Sequence, residues 1–236
     1  MVDHSRPCRF CRSPSHHAVC DACWAALPWN TPACPSCALP VVVPGACARC
    51  RRRQPPADLA CVPFRLAPPV QRVLHGLKYH RRLADAHWLA QALVSHRRAL
   101  GPPPPQLMAP VPLHWKRLWH RSYNQAAVLG RAAACQLGIP WAPALLTRFH
   151  ATPDQIGQSA AARRRGVRGA FGVTADIRGR RVAVIDDVMT SGATLDEIAR
   201  TLRRAGAGHV EVWAIARTPM PQSRFPPLSD SAMMPP

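Results

Sequence analysis

The run Val182-Ala-Val-Ile-Asp-Asp-Val-Met-Thr-Ser-Gly-Ala-Thr194 limits what this chain can fold into more than any other segment. Four apolar residues, three of them β-branched, read as a buried parallel strand. Two adjacent carboxylates, Asp186 and Asp187, stand at its carboxyl end, followed by the small and hydroxylated residues Thr190, Ser191, Gly192, Ala193 and Thr194. A helix is predicted next, because Leu195, Ile198, Ala199, Leu202 and Ala205 recur at helical spacing and Gly206 supplies a stop. The order is strand, acidic pair, phosphate-sized loop, helix N-terminus. Ligand sites of open α/β sheets gather at such strand ends.

Each part has a chemical use. The first N–H groups of a helix have no intrahelical partner, and the helix dipole favours an anion there. Gly192 and Ala193 let a phosphate approach the main chain, while Thr190, Ser191 and Thr194 add hydroxyl donors. Two carboxylates cannot serve that phosphate; they suit a diol or a positive charge. A 5-phosphorylated ribose presents a phosphate at one end and the 2- and 3-hydroxyls at the other. The pattern resembles the phosphoribosyl diphosphate (PRPP) signature of type I phosphoribosyltransferases. The competing reading is that Asp186 and Asp187 merely end a strand of some other doubly wound fold.

The cysteines form four C-x-x-C pairs: Cys8/Cys11, Cys20/Cys23, Cys34/Cys37 and Cys47/Cys50. Eight thiols so spaced fit two four-cysteine zinc sites. The gaps favour sequential pairing, first with second and third with fourth; an interleaved cross-brace is the alternative. A disulfide framework would need an oxidising compartment, and the N-terminus has no apolar run of the secretory kind, so a cytoplasmic location is expected. His4, His16 and His17 are expected to be solvated, and the lone Cys61 and Cys135 to be small buried residues. Residues 1–53 contain few large apolar side chains, so metal is expected to hold them together.

The net charge of +19 is carried almost wholly by arginine, with lysine only at Lys78 and Lys116. Two zinc ions on eight thiolates would lower it to roughly +15. The charge invites a nucleic-acid partner, single-stranded DNA in particular. Arginine-for-lysine usage among many alanines and prolines is equally a compositional bias. Aromatic residues are too sparse to argue a base-stacking platform. No apolar stretch is long enough to span a bilayer, so no membrane insertion is expected.

The remaining pattern predicts a strand at 61–67 and a helix through Val70, Val73, Leu74 and Leu77. A second helix carries Leu83, Ala86, Leu89, Ala90 and Leu93. A proline break at 101–105 precedes a strand at Leu107–Val111 and a basic loop through Ser122. A helix from Asn124 to Leu137, ended by Gly138, comes next, then a strand near 143–147, an arginine-rich stretch at 148–168 and a last strand at Val210–Ala216. The implied division is a zinc module at 1–53, hood-like strand and helices at 54–105, a core at 106–218 and a disordered tail at 219–236.

Over residues 8–218 the chain resembles the ComF family, amidophosphoribosyltransferase-like proteins associated with DNA uptake and competence. The resemblance is carried by the cysteine pairs, Leu77-Lys-Tyr79, Pro110-Val-Pro-Leu113, Arg121, Asn124-Gln125, Thr152, Gln155, Arg168-Gly-Ala-Phe171 and the Asp-Asp run. The chain departs from it at Ser122-Tyr123, where the family commonly has Gly-Phe, and at Gly166, where it commonly has Asn. The resemblance implies a type I phosphoribosyltransferase-like, doubly wound, mainly parallel α/β sheet with a small N-terminal zinc-ribbon module. It implies that Asp186 and Asp187 hold ribose hydroxyls and act in catalysis, and that residues 190–194 hold the 5-phosphate. Lys116, Arg117 and Arg121 would meet a diphosphate bridged by Mg²⁺, and Arg163, Arg164 and Arg165 would arrive on a closing loop. For each arginine the alternative is a solvated surface charge. Lys78-Tyr79 and Asn124-Gln125 are expected to be structural hydrogen-bonders. The expected function is PRPP-dependent transfer linked to DNA uptake or nucleotide salvage. The alternative is a non-catalytic nucleotide or single-stranded-DNA binder acting in uptake, with other uptake proteins as partners.

Overall fold

The computed structural model describes residues 5–101, 103–113, 123–149 and 160–219, without the side chains at 160, 161, 163 and 164. The short strands β1 (Arg6–Pro7) and β2 (Pro14–Ser15) and helix α1 (Asp21–Ala25) surround the first four cysteines, and α2 (Ala48–Arg52) closes the second four. Then come β3 (Leu59–Cys61), β4 (Phe64–Arg65), α3 (Val70–Tyr79), α4 (Asp85–Ala99) and β5 (Leu107–Pro110). They are followed by α5 (Gln125–Leu137), β6 (Leu146–Arg148), α6 (Ala160–Val167) and β7 (Phe171–Val173). The chain continues through β8 (Arg181–Met189), α7 (Ala193–Arg204) and β9 (His209–Arg217).

The main sheet is wholly parallel, in the order β3–β9–β8–β5, with β4 continuing along β9 beside β3. Parallel strands need helical crossovers, and these cover both faces. Ala183 and Ile185 of β8 and Trp213 and Ile215 of β9 pack towards α3, α4 and α5. Val182 and Val184, with Val210, Val212 and Ala214, pack towards α7 and Val167 of α6. Because successive side chains alternate in direction, a strand covered on both sides must be apolar at every position. This is why 182–185 reads as an unbroken apolar run.

Helix boundaries follow their local chemistry. Asn124 caps α5 by accepting from the N–H groups of Ala126 (3.0 Å) and Ala127 (3.4 Å), and Gly138 ends it in the left-handed conformation at φ 66°. Gly130, in the middle of α5, lets the helix lie close over β8. A Cβ there would sit 2.6 Å from the Trp141 ring and 2.7 Å from Ile185 Cγ2.

Four expectations change. The strand at 61–67 is two short pieces broken after Cys61. The strand near 143–147 lies at 146–148 and pairs antiparallel with β7, outside the main sheet. Leu83 precedes α4 and is exposed, because α4 begins only at Asp85. Cys135 is exposed on the outer side of α5, whereas Cys61 is buried as expected. The tail beyond 219 lies outside the described residues.

The cysteine-rich segment is bonded to the sheet domain along its length. Arg9 makes a two-pronged ion pair with Asp85 at 2.7 and 3.2 Å, and Trp88 Nε1 donates to the same carboxylate at 3.0 Å. Phe10 meets Trp88 edge-on at 5.7 Å, and Trp29 lies 4.7 Å from Phe64. The buried Asn30 amide donates to the carbonyls of Ala38 (2.9 Å) and Val62 (3.3 Å). Towards the other end of α4, a buried Arg97–Glu211 pair at 2.7 Å ties this helix to β9, and Trp213 Nε1 donates to Glu211 at 2.9 Å. Removing one partner of such a pair strands a buried charge.

Gly130→Ala is expected to lose about 1–3 kcal/mol of stability through overpacking against Trp141 and Ile185. Denaturant unfolding checks this; an unchanged midpoint would show that the α5–β8 contact tolerates a methyl group.

Candidate functional site

Strand β8 does not stop at its apolar segment. It runs on through the acids to Met189, with Asp186 opposite Ala214 and Val188 opposite Ala216 of β9. Both carboxylates line the same cleft, and Asp187 Oδ2 lies 3.6 Å from Lys78 Nζ at the end of α3. Asp186 Oδ1 accepts the N–H of Asp187 at 2.8 Å, and Asp187 Oδ1 accepts the N–H of Val188 at 2.8 Å. Burial and the neighbouring Asp187 push Asp186 up to about 8, against the opposing pull of the Asp187 N–H and of Lys78. These surroundings favour the protonated form of Asp186 until a ligand changes them.

The loop after β8 opens onto the start of α7. Gly192 is the N-cap residue, left-handed at φ 79°, and no side chain caps the helix. A residue with a Cβ would be strained there. The Ser191 hydroxyl lies 3.4 Å from the Ala193 nitrogen, and the first intrahelical bond runs from Asp196 N–H to Gly192 O at 2.8 Å. The loop and the first turn of α7 thus line one end of the cleft with the kind of helix start that suits an anion.

A single cleft brings these parts together. It is lined by Asp186, Asp187, Thr190, Ser191, Gly192, Ala193 and Thr194, and also by Lys78, Val111, Asn124 and Arg148. All seven predicted ribose-phosphate residues therefore share one cavity. Lys116, Arg117 and Arg121 lie outside the described residues, and the side chains of Arg163 and Arg164 on α6 are likewise not described.

Two basic cleft residues did not stand out as ligand-facing in the sequence. Lys78 comes from the last turn of α3. That turn is fastened by the Tyr123 hydroxyl, which donates to Leu77 O, and by Gln125 Nε2, which donates to Lys78 O at 3.5 Å. The Leu77-Lys-Tyr79 run and the Tyr123–Gln125 run are thus two sides of one contact that delivers the ammonium to Asp187. Arg148, on β6, stands over the Phe171 ring at 5.5 Å while lining the cleft. Asn124 acts as a structural hydrogen-bonder, joining its helix cap to Val111 O at 2.9 Å.

The eight paired cysteines form two separate clusters, Cys8/Cys11/Cys20/Cys23 and Cys34/Cys37/Cys47/Cys50, each with its sulfurs within 4.8 Å of one another. Sequential pairing holds; the cross-brace does not. A tetrahedral Zn–S₄ centre with bonds of about 2.3 Å places its sulfurs about 3.8 Å apart. The Cys11–Cys20 and Cys37–Cys47 separations are both 3.6 Å. Backbone N–H groups of Cys20 and Cys47 each point at a sulfur, of Cys8 and Cys34 respectively, at 3.4 Å. Although burial opposes it, such N–H groups bring Cys8 down to about 6 and Cys34 to about 7. Both sets fit closed structural zinc sites with no open position. Among the described residues no helix is long and apolar enough to cross a membrane.

Comparison with known proteins agrees with both halves. Residues 5–51 match the double zinc ribbon domain, and residues 124–227 match the phosphoribosyl transferase domain. The DNA utilization protein YhgH of Salmonella typhi is 36% identical over 219 residues, covering 89% of this chain and 96% of that protein. Competence protein F of Haemophilus influenzae is 31% identical over 225 residues, with the same coverage of 89% and 96%. Among solved structures, the glutamine PRPP amidotransferase from B. subtilis aligns over 56% of this chain and 25% of its own, at 24% identity and a TM-score of 0.36. Near-full-length similarity at this level, with both domain matches in the same order, is decisive: the chain belongs to the ComF/YhgH family, a phosphoribosyltransferase-type α/β domain carrying an N-terminal double zinc ribbon.

Proposed function

We propose that the protein binds PRPP with Mg²⁺ in the β8–α7 cleft and displaces its pyrophosphate. The observation that carries this is the shared cavity: an uncapped helix start with a left-handed glycine at one end and two carboxylates at the other. The 5-phosphate would take the N–H and hydroxyl groups of 190–194, and the ribose hydroxyls would donate to Asp186 and Asp187. Hydrogen bonds to an ionised acceptor are the stronger ones, so the diol favours loss of the Asp186 proton. Mg²⁺, a hard cation taking oxygen ligands, would come with the diphosphate and neutralise its charge. Lys78 and Arg148, with Lys116, Arg117 and Arg121 as expected from the resemblance, would meet the leaving group.

Chemistry here needs no protein nucleophile. The bond from the anomeric carbon to pyrophosphate breaks, positive charge develops on the sugar, and an acceptor, an amine for example, attacks. The protein contributes orientation and fixed charges.

A second reading is favoured by a different observation. Arg49, Arg51, Arg52 and Arg53 are all exposed on and just after α2, and the relatives bear the names of DNA utilization and competence proteins. On this reading single-stranded DNA runs over the second ribbon, in DNA uptake, with or without turnover at the cleft.

Asp186→Asn and Asp187→Asn should each lower PRPP–Mg²⁺ affinity about ten-fold or more in calorimetry while leaving the fold intact. Unchanged affinity would move the ribose elsewhere. A second expectation concerns stability against pH. The folded state holds the Asp186 proton more tightly than the unfolded chain does, so this group's contribution is fully present below about pH 4 and lost as pH rises towards about 8. Asp186→Asn stays neutral throughout, so its melting temperature should exceed wild type at pH 9; a wild-type advantage there would contradict the assignment. Single-stranded DNA affinity, if the second ribbon is the surface, should fall with salt at a log–log slope near roughly −0.7 per contacted phosphate and weaken in Arg51→Ala/Arg52→Ala. No binding even at low salt would make the charge compositional.

A further inference from the structure

Arg217, the last residue of β9, is only 2% exposed. Its guanidinium lies where the second cysteine cluster, the phosphate loop and the end of the sheet meet. Nε donates to the carbonyl of Cys37 at 3.1 Å. Nη1 donates to Met189 O at 2.8 Å, to Thr190 O and to Thr218 O at 3.2 Å. Cys37 is a ligand residue of the second cluster, and Met189 and Thr190 lead directly into Ser191–Thr194. A further link runs in parallel. Arg49, between Cys47 and Cys50, lies 3.8 Å from Asp196 in the first turn of α7. The first cluster docks elsewhere, through Arg9 and Phe10 onto α4.

The electrostatics make this bridge depend on metal. A buried guanidinium is costly unless charge of opposite sign lies close. Four thiolates around one Zn²⁺ carry a net charge of −2, placed just behind the carbonyl that Arg217 holds. Without the ion that compact double charge is not assembled.

We propose that Arg217 is a positioning residue through which the second zinc site sets the conformation of the phosphate loop, so that zinc at Cys34/Cys37/Cys47/Cys50 and an anionic ligand at 190–195 bind cooperatively. The ligand half of this rests on the phosphoribosyl reading; the ordering of the loop does not. Coupling of this kind is reciprocal: the anion must hold the second zinc as strongly as the second zinc orders the anion site.

Hydrogen exchange of the zinc-loaded full chain, read by mass spectrometry over residues 189–195, tests it without any ligand. Arg217→Met should raise exchange there about ten-fold with α5 unchanged, and Arg217→Lys should be intermediate. Cys47→Ser, in the second site, should loosen the same peptide, whereas Cys11→Ser, in the first, should leave it at the wild-type rate. If Arg217→Met fails to fold, the lysine variant and the two cysteine variants still decide. A loop unaffected by Arg217→Lys and Cys47→Ser, or loosened equally from both zinc sites, overturns the proposal. In wild type, saturating PRPP–Mg²⁺ should slow chelator-driven release of the second zinc about five-fold or more and leave the first unchanged. Equal protection of both ions would also overturn it. Failure of PRPP to bind at all would refute the phosphoribosyl reading, while the exchange comparison would still judge the loop.

Discussion

Two carboxylates held at the end of a fully buried parallel strand are the constraint around which this molecule is arranged. Like charges on adjacent residues repel, and burial makes each charge more expensive. The fold meets that cost in two ways. Lys78 is brought to Asp187 by the end of α3. Asp186 is pushed towards its protonated form by burial and by Asp187. The result is a site whose charge can change when a ligand arrives, beside an uncapped helix start that favours a negative group. A polar and charge-crowded end on an apolar, regular strand is what a binding cleft in an open α/β sheet requires.

The zinc ribbons have distinct places in this arrangement. The first cluster clamps α4 through the Arg9–Asp85 pair and the Phe10–Trp88 contact. The second lies against the end of β8 and the start of α7 through Arg217 and Arg49. A segment with so few large apolar residues is of the kind that bound metal orders. Family membership fixes the two-part architecture; the contacts show that the parts are packed as one structure.

Much of this was legible in the sequence wherever the signal is local. The apolar run, the acids and the turn into α7 are contiguous, so their geometry follows from period, strand end and helix start. The Asn124 cap and the Gly138 stop of α5 are likewise read from single residues with known backbone roles. The cysteine pairs declared two metal sites because spacing alone brings the thiols together. The residues that escaped are those whose roles arise from distant packing. Lys78 reads as a hydrogen-bonder in a helical run until Tyr123 and Gln125 fasten that turn beside the acids. Arg148 and Arg217 are two arginines in an arginine-rich chain, and nothing nearby marks them. Cys135 was misplaced because a small residue in an alanine-rich helix fits either side of it. The pairing of β6 with β7 was hidden because three-residue strands carry no readable period.

The central claim is that one cleft takes a ribose phosphate with its phosphate at α7 and its hydroxyls at the acids. A crystal structure of the protein soaked with PRPP and Mg²⁺ tests it most directly. The account predicts the 5-phosphate within hydrogen-bond distance of the main-chain nitrogens of 192–195 and the 2- and 3-hydroxyls within reach of Asp186 and Asp187. A phosphate bound away from the start of α7, or a ribose turned so that its hydroxyls face the loop, would contradict it.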